Sequence, residues 1–404
     1  MREAITNATP AAEENLAAPG LVAQLRRDDF DRDVWCLMGL AVDAADISRA
    51  TAEVDDAARS RRPLSFVTPN VNFLVRAMKD KGARAEILNA DLSLVDGAPL
   101  VAMAKMLGVP VRSRVAGSDL FEALRRRPGY SGRKLKVFFF GGRAGAAEKA
   151  VAVINSENSG IEAVGWHNPG YGDVESMSSD EVIAKINACD ADFVMVALGA
   201  TKGQSWIERN RARLTAPVIA HLGAVIDFTA GSIARAPAWM QRAGIEWAWR
   251  IKEEPSLWKR YFTDALALAG LAGKSLLPQL ASAREVSGDV SVEADFSASE
   301  SVIRLAGAAG CNSLKPVREA FRAAAAHGRP VRLDLTGVHA VDRAFLGQVL
   351  MLEKNLSLRG AGISLQGATA GVEALFRANN MSYPRTMVAE PASRSSAAPR
   401  KAAV

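Results

Sequence analysis

The chain has 404 residues, 49% of them hydrophobic and 23% charged, with 50 Lys plus Arg against 44 Asp plus Glu for a formal charge of +6. That balance excludes a disordered chain, and the length provides for two or three domains at about 100 to 200 residues each. Three cysteines (Cys36, Cys189, Cys311) lie far apart and four histidines (His167, His221, His327, His339) lack metal-ligand spacing, which argues against a disulfide scaffold and a zinc-finger site; no ligand cluster calls for a metal, and no cofactor is expected.

The opening MREAITNATPAAEEN lacks the basic start and apolar core of a signal peptide. No apolar run reaches the ~18 residues of a spanning helix, so a cytoplasmic location is expected. Residues 1–30 are Ala-rich and polar without a sustained period, and they predict a disordered arm. WCLMGLAVD predicts a strand and turn, ISRATAEVDDAARS a helix, SFVTPN a strand ending at Pro69 and Asn70, and NFLVRAMKDKG a helix. KLKVFFFGGRAGAAEKAVAVI and DFVMVALGATKGQSWIERNRARL each repeat the order strand, Gly turn, helix. Their continuous apolar strands predict burial on both faces of a parallel sheet. PVIAHLGAVIDF adds a further strand, giving an α/β domain over 31–232.

Residues 233–280 change in character. Between Arg235 and Arg260, six basic residues (Arg235, Arg242, Arg250, Lys252, Lys259, Arg260) stand against three acidic ones (Glu246, Glu253, Glu254), and Trp239, Trp247, Trp249 and Trp258 are four of the seven tryptophans. Tryptophan favours the membrane interface and basic groups favour anionic head groups, so this stretch predicts a helical membrane-proximal appendage; tryptophans at helical spacing also fit a core. No recognised nucleic-acid motif accompanies them, and no nucleic-acid partner is expected. A polar linker (281–289) leads to a second small α/β unit (290–383) with strands at VSVEA, VIRLAG, PVRLDLTGV and ISLQG. Its helices are SLKPVREAFRAAAAHG, DRAFLGQVLMLEKNLSLRG and AGVEALFRANN, and 384–404 predicts a disordered tail.

Two constellations could carry chemistry. GGRAG, from Gly141, sits between a buried strand and a helix, where backbone N–H groups can hold phosphate oxygens or where the Gly141 and Gly142 pair simply makes a tight turn. Asp91 and Asp96 both precede a Gly turn at Gly97; a carboxylate there can serve as a general base, or Asp-Gly is an ordinary turn.

Taken together, VTPN (67–70), ADLSLVDGAPLV around Asp96, RVAGSDLFEAL (114–124), VFFFGG (137–142), GYG (170–172), ALGATKGQSWI (197–207) and the run 227–261 resemble the WecG/TagA/CpsF family of bacterial glycosyltransferases in the right order. The resemblance implies a Rossmann-like domain that moves a sugar from a nucleotide-diphosphate donor to a polyprenyl-diphosphate-linked acceptor. The setting would be the inner face of the cell membrane, in cell-wall, capsule or exopolysaccharide synthesis. It implies that Asp96 is the catalytic base. Thr68 and Asn70 would lie at the sugar or catalytic pocket, and Gly141, Gly142, Gln204 and Asp227 would be further substrate-binding positions. Arg235, Arg250 and Arg260 would face phosphates, a role that suits bidentate guanidinium groups. Five positions depart from the family pattern: in the run before Trp206, Thr201, Gly203 and Gln204 replace a usual Pro, Gln and Glu, Asn72 replaces a frequent acid, and Leu257 replaces a common Arg.

The unit 290–383 resembles a STAS domain through VRLDLTGV, Val341, Asp342 and ISLQG. Phosphoswitching members carry a Ser after this Asp, whereas this chain has Arg343 and Ala344. That resemblance therefore implies docking of a protein partner near Asp342 and Arg343, with the domain self-contained and separable near Ala283. The leading reading is a peripheral glycosyltransferase fused to a STAS domain. Its alternative is a catalytically degenerate transferase acting as a binding scaffold. A Rossmann oxidoreductase is disfavoured by the absence of GxGxxG with its distal acid.

Overall fold

The structure is a computed structural model and describes residues 27–281 and 286–385. The arm 1–26, part of the linker and the tail from 386 lie outside the described residues. Arg27 to Phe30, assigned to the arm from sequence, pack: Phe30 is buried and Arg27 pairs with Glu53.

Strands β1 (Val34–Leu37) and β2 (Leu40–Asp43) form an antiparallel hairpin. The six strands that follow are β3 (Leu64–Val67), β4 (Leu92–Ser93), β5 (Leu135–Gly141), β6 (Ile161–His167), β7 (Phe193–Ala197) and β8 (Val218–His221). They make one parallel sheet in the order β4-β3-β8-β7-β5-β6. The continuous apolar runs divide by alternation between the two faces of this sheet. Val137, Phe139, Phe193 and Met195 join one core, and Phe138, Phe140, Val194 and Val196 join another. In the second, Trp206 stacks on Phe140 with ring centroids 4.2 Å apart and donates its indole N–H to the Met177 carbonyl. The chain is thus α/β, and no helix among the described residues is long and apolar enough to cross a membrane.

The appendage is helical, with helices Ala238–Arg242, Glu246–Glu253 and Trp258–Leu271. Its last part is built into the molecule: Leu268, Leu271 and Leu276 pack with Leu37, Leu40 and Leu100. Its outer surface carries Trp239, Trp247, Trp258 and Phe262, each about half exposed.

The C-terminal unit has β9 (Val290–Phe296), β10 (Ser301–Ala309), β11 (Val331–Val341) and β12 (Ile363–Gln366) in a mixed sheet of order β12-β11-β10-β9. Its helices are Lys315–His327, Arg343–Ser357 and Ala370–Ala378.

Its core is not self-contained, which corrects the expectation from sequence. Helix Arg343–Ser357 is buried along almost its whole length, from Arg343 to Leu352 and again at Lys354 and Leu356, so it is covered on more than one side. One side packs on its own sheet; the other packs on the N-terminal hairpin, so that Phe345, Leu350 and Met351 share one cluster with Phe30, Val34 and Cys36. A Cβ at Gly347 would lie 2.2 Å from the Val34 carbonyl oxygen, so only glycine admits the hairpin backbone here. The seam is also polar: Arg84 is bidentate to Glu353, Tyr383 donates to Glu353 at 2.7 Å, and Asn379 donates to Gln279 at 3.1 Å. Arg343, expected on an exposed docking surface, is buried and bonds Gln279 at 3.3 Å, while Asp342 caps its helix through the Phe345 N–H. A chain ending near Ala283 is therefore expected to expose Phe30, Val34 and Cys36 and to lose cooperative unfolding, contrary to separability. Calorimetry on the truncated and full chains measures this.

Candidate active site

In a parallel α/β sheet, ligands bind outside the carboxyl ends of the strands, where loops diverge and helix N-termini point inward. Thr68 and Asn70 follow β3, Asp96 follows β4, the Gly141–Gly142 pair ends β5, and Asp227 follows β8. The topology thus brings these sequence-predicted residues to one edge.

At the centre, the Asp96 N–H donates to the Pro69 carbonyl at 2.9 Å, and the Val115 N–H donates to the Val95 carbonyl at 2.9 Å. These bonds lock three loops side by side. Thr68 reaches the same place: a Cβ at Gly117 would stand 3.5 Å from its Oγ1. Arg114 binds Asp119 at 2.8 Å and Glu246 at 2.9 Å, and Arg235 binds Asp119 and, at 3.2 Å, Ser118. The appendage closes over this cluster, its Gly244 approaching Ala98 so closely that a Cβ would come within 2.6 Å of the Ala98 Cβ. Burial pushes the Asp96 carboxyl up to about 7; Arg114 opposes this, and Glu246 and Asp119 add to it. A carboxyl poised near neutral pH beside guanidinium groups can take a proton while the arginines meet developing negative charge. Arg114, Asp119 and Glu246 were given no role from sequence. Arg114 and Asp119 stand in the RVAGSD run, but nothing in a linear pattern aims them at Asp96.

A second charged group lies under the β5 turn. Arg143 and Arg250 share Glu254, Arg250 also lies 5.2 Å from the Phe228 ring centre, and the buried Asp227 accepts the Arg143 N–H at 3.3 Å.

Some expectations are corrected. Gly141 and Gly142 both have positive φ, and the Gly142 N–H is used on the Ala197 carbonyl at 2.9 Å. With the Arg143 N–H also engaged, the pair makes a tight turn, and neither of these two N–H groups is offered to a phosphate. Asn70 stays at the edge, its Cβ 3.9 Å from where a Cβ at Gly97 would stand, while its side-chain oxygen caps helix Val71–Lys79 through the N–H groups of Asn72 and Phe73. Gln204 is buried and faces the Glu86 carbonyl at 3.4 Å, so it is not brought to the edge. Arg260 is exposed over the Tyr261 ring at 5.0 Å, with no contact to the Asp96 group among the described residues.

Gly203 has a local reason. A Cβ there would stand 2.1 Å from Cδ2 of His221, whose ring fills the space that a side chain at 203 would need. Burial pushes this imidazole down to about 4, so it is neutral. Gly203→Gln is expected to destabilise the fold by about 1–3 kcal/mol through overpacking. Adding His221→Ala should recover part of that loss, as read by urea unfolding.

Residues 35–282 match the model of the glycosyl transferase WecG/TagA/CpsF family, well over half of the chain. The chain belongs to this family. Residues 292–388 match the STAS domain model described as Mlab, STAS domain. Among curated proteins, the family member is 32% identical over 195 residues to the N-acetylglucosaminyldiphosphoundecaprenol N-acetyl-beta-D-mannosaminyltransferase of Bacillus spizizenii, covering 48% of this chain and 73% of the relative. It is 31% identical over 199 residues to the protein of the same name from Bacillus subtilis, covering 49% and 73% respectively. This WecG/TagA/CpsF chain is thus a glycosyltransferase by family, with a STAS domain at its C-terminal side.

Proposed function

We propose that the protein transfers an N-acetylhexosamine-type sugar from a nucleotide-diphosphate donor to a polyprenyl-diphosphate-linked sugar in the synthesis of a cell-surface polysaccharide. The observation that carries this is Asp96: a half-buried carboxyl held near neutral pKa at the carboxyl edge of the sheet, facing Arg114. In the reaction, the acceptor hydroxyl gives its proton to Asp96 as its oxygen attacks the anomeric carbon. The bond to the donor diphosphate breaks, and the leaving nucleoside diphosphate takes the electron pair and gains charge. Arg114 beside Asp96, Arg235 joined to Arg114 through Asp119, and Arg143 and Arg250 under the β5 turn, are the cations that would meet that charge. The names of the curated relatives support an undecaprenyl-diphosphate acceptor and an N-acetylhexosaminyl donor.

The exposed Trp239, Trp247 and Trp258, with Arg242, Lys252, Lys259 and Arg260 beside them, support docking of the appendage on the anionic inner face of the cell membrane, where such an acceptor resides. The test is incubation of the full chain with a panel of nucleotide sugars and a polyprenyl-diphosphate-linked N-acetylglucosamine, measuring release of nucleoside diphosphate. Release with an N-acetylhexosamine donor supports the proposal. No turnover with any donor, despite donor binding, would instead favour a degenerate transferase that serves as a scaffold.

A further inference from the structure

The candidate base stands just beyond the least supported strand of the sheet. β4 has two residues, lies at the edge, and among the described residues pairs only with β3, through Phe66↔Leu92 and Val67↔Ser93. A strand this short takes its position from whatever covers its free side. Here the cover is a buried charge network, and one of its members belongs to the STAS domain.

Lys354, on helix Arg343–Ser357 and fully buried, donates to Asp29 at 2.8 Å and to the Ala90 carbonyl at 3.1 Å, and its ammonium lies 3.7 Å from Asp91 Oδ1. Arg32 donates to the same Ala90 carbonyl at 3.1 Å and pairs with Asp43 at 2.8 Å, and Asp43 accepts the Ser93 N–H at 2.7 Å. Asp91 in turn accepts the Ser65 N–H of β3 at 2.8 Å. The network therefore grips β4 before its first residue and at its last. An apolar residue at 354 would seal the seam as well, and buried ion pairs are poor sources of net stability. What the charges add is a fixed geometry, because a buried network has few arrangements in which every member keeps its partners.

We infer that the STAS domain acts in cis as a positioning element of the transferase, with Lys354 the positioning residue that fixes the Ala90–Ser93 segment and, through it, the Asp96 carboxylate. The inference rests on the reading of Asp96 as the base. It also gives helix Arg343–Ser357 its partner, the transferase domain of the same chain.

The experiment uses the full chain carrying Lys354→Met. Asp29 keeps Arg32 at 2.8 Å and Asn355 at 3.1 Å, and Asp91 keeps the Ser65 N–H at 2.8 Å and the Ser65 hydroxyl at 2.9 Å, so both carboxylates retain partners. Per folded molecule, kcat is expected to fall about 10- to 100-fold while the donor KM changes by less than about twofold, since displacement of a reacting group by about 1 Å has effects of that size. The acid limb of the kcat–pH profile should move, and amide exchange over 91–96 should quicken while the central strands stay protected. The double variant Asp29→Asn/Lys354→Met, which removes both charges, should show the same kcat loss and covers the case in which the single variant folds poorly. Wild-type kcat per folded molecule with an unmoved acid limb, whatever the change in melting temperature, would overturn the inference. If exchange over 91–96 quickens but Asp96→Asn is fully active, the coupling stands and it is the reading of Asp96 that fails.

Discussion

Asp96→Asn is expected to lower the transfer rate by about 10²- to 10⁴-fold, the usual worth of general-base assistance, while the protein stays folded and binds donor. The substitution keeps the shape of the side chain and the Asp96 N–H bond to Pro69, so the loops around it have no reason to move. The pH dependence gives a second reading of the same group. Burial holds its carboxyl near 7, and only the ionised form accepts a proton, so the wild-type rate should climb as pH rises through about 7. The residual rate of Asp96→Asn should lack this limb. Glu246 is one of the negative neighbours that raise the Asp96 pKa, so Glu246→Gln should shift the limb to lower pH. Release of nucleoside diphosphate across a pH series measures all three. If Asp96→Asn kept more than about half of the rate, Asp96 would be no more than a turn residue before Gly97.

Replacing Trp239, Trp247 and Trp258 together with Ser is expected to release the protein from anionic vesicles. The indoles are 59%, 49% and 51% exposed, so removing them costs the folded core little. At ~25 cal/mol per Å² of apolar surface, partial insertion of three such rings contributes about 3 kcal/mol, on the order of 100-fold in partition. The neighbouring basic residues should make wild-type binding fall with salt. Vesicle co-sedimentation measures both effects, and unchanged binding of the triple variant would end the interface reading. Deleting the whole appendage is a poorer test, because Leu276 and Gln279 are buried and Gln279 bonds Asn379 of the STAS domain.

What was legible in the sequence follows from which patterns are local. The β5 and β7 runs announce a strand buried on both faces because no alternation survives in them, and the sheet uses them so. The hairpin was visible as a strand and turn, but Val34 and Cys36 would be equally apolar under any cover, and nothing in their pattern names a helix more than 300 residues away. The two glycines after β5 look the same whether positive φ serves a tight turn or a phosphate; only the use of the Gly142 N–H on Ala197 decides. Gly203 and Gln204 were noted as neighbours in one motif, yet adjacent helical residues point about 100° apart. One therefore meets His221 and the other meets helix Lys81–Leu88. Arg343 misled because a charged residue opening a helix is usually solvated.

The seam between hairpin and STAS helix also bears on how the molecule is made. Arg32 and Met351, in contact across it, are 319 residues apart. Synthesis proceeds at roughly 5–20 residues per second, so the hairpin waits tens of seconds before its cover exists. During that interval Phe30, Val34 and Cys36 have no native partner from the C-terminal side, and contacts of such long sequence separation close slowly. The nascent transferase therefore leaves the ribosome with an apolar face open to chaperones, and β4 acquires its last restraints only when helix Arg343–Ser357 arrives. Chains cut short before that helix would keep Phe30, Val34 and Cys36 without this cover, an exposed apolar patch of the kind that favours association.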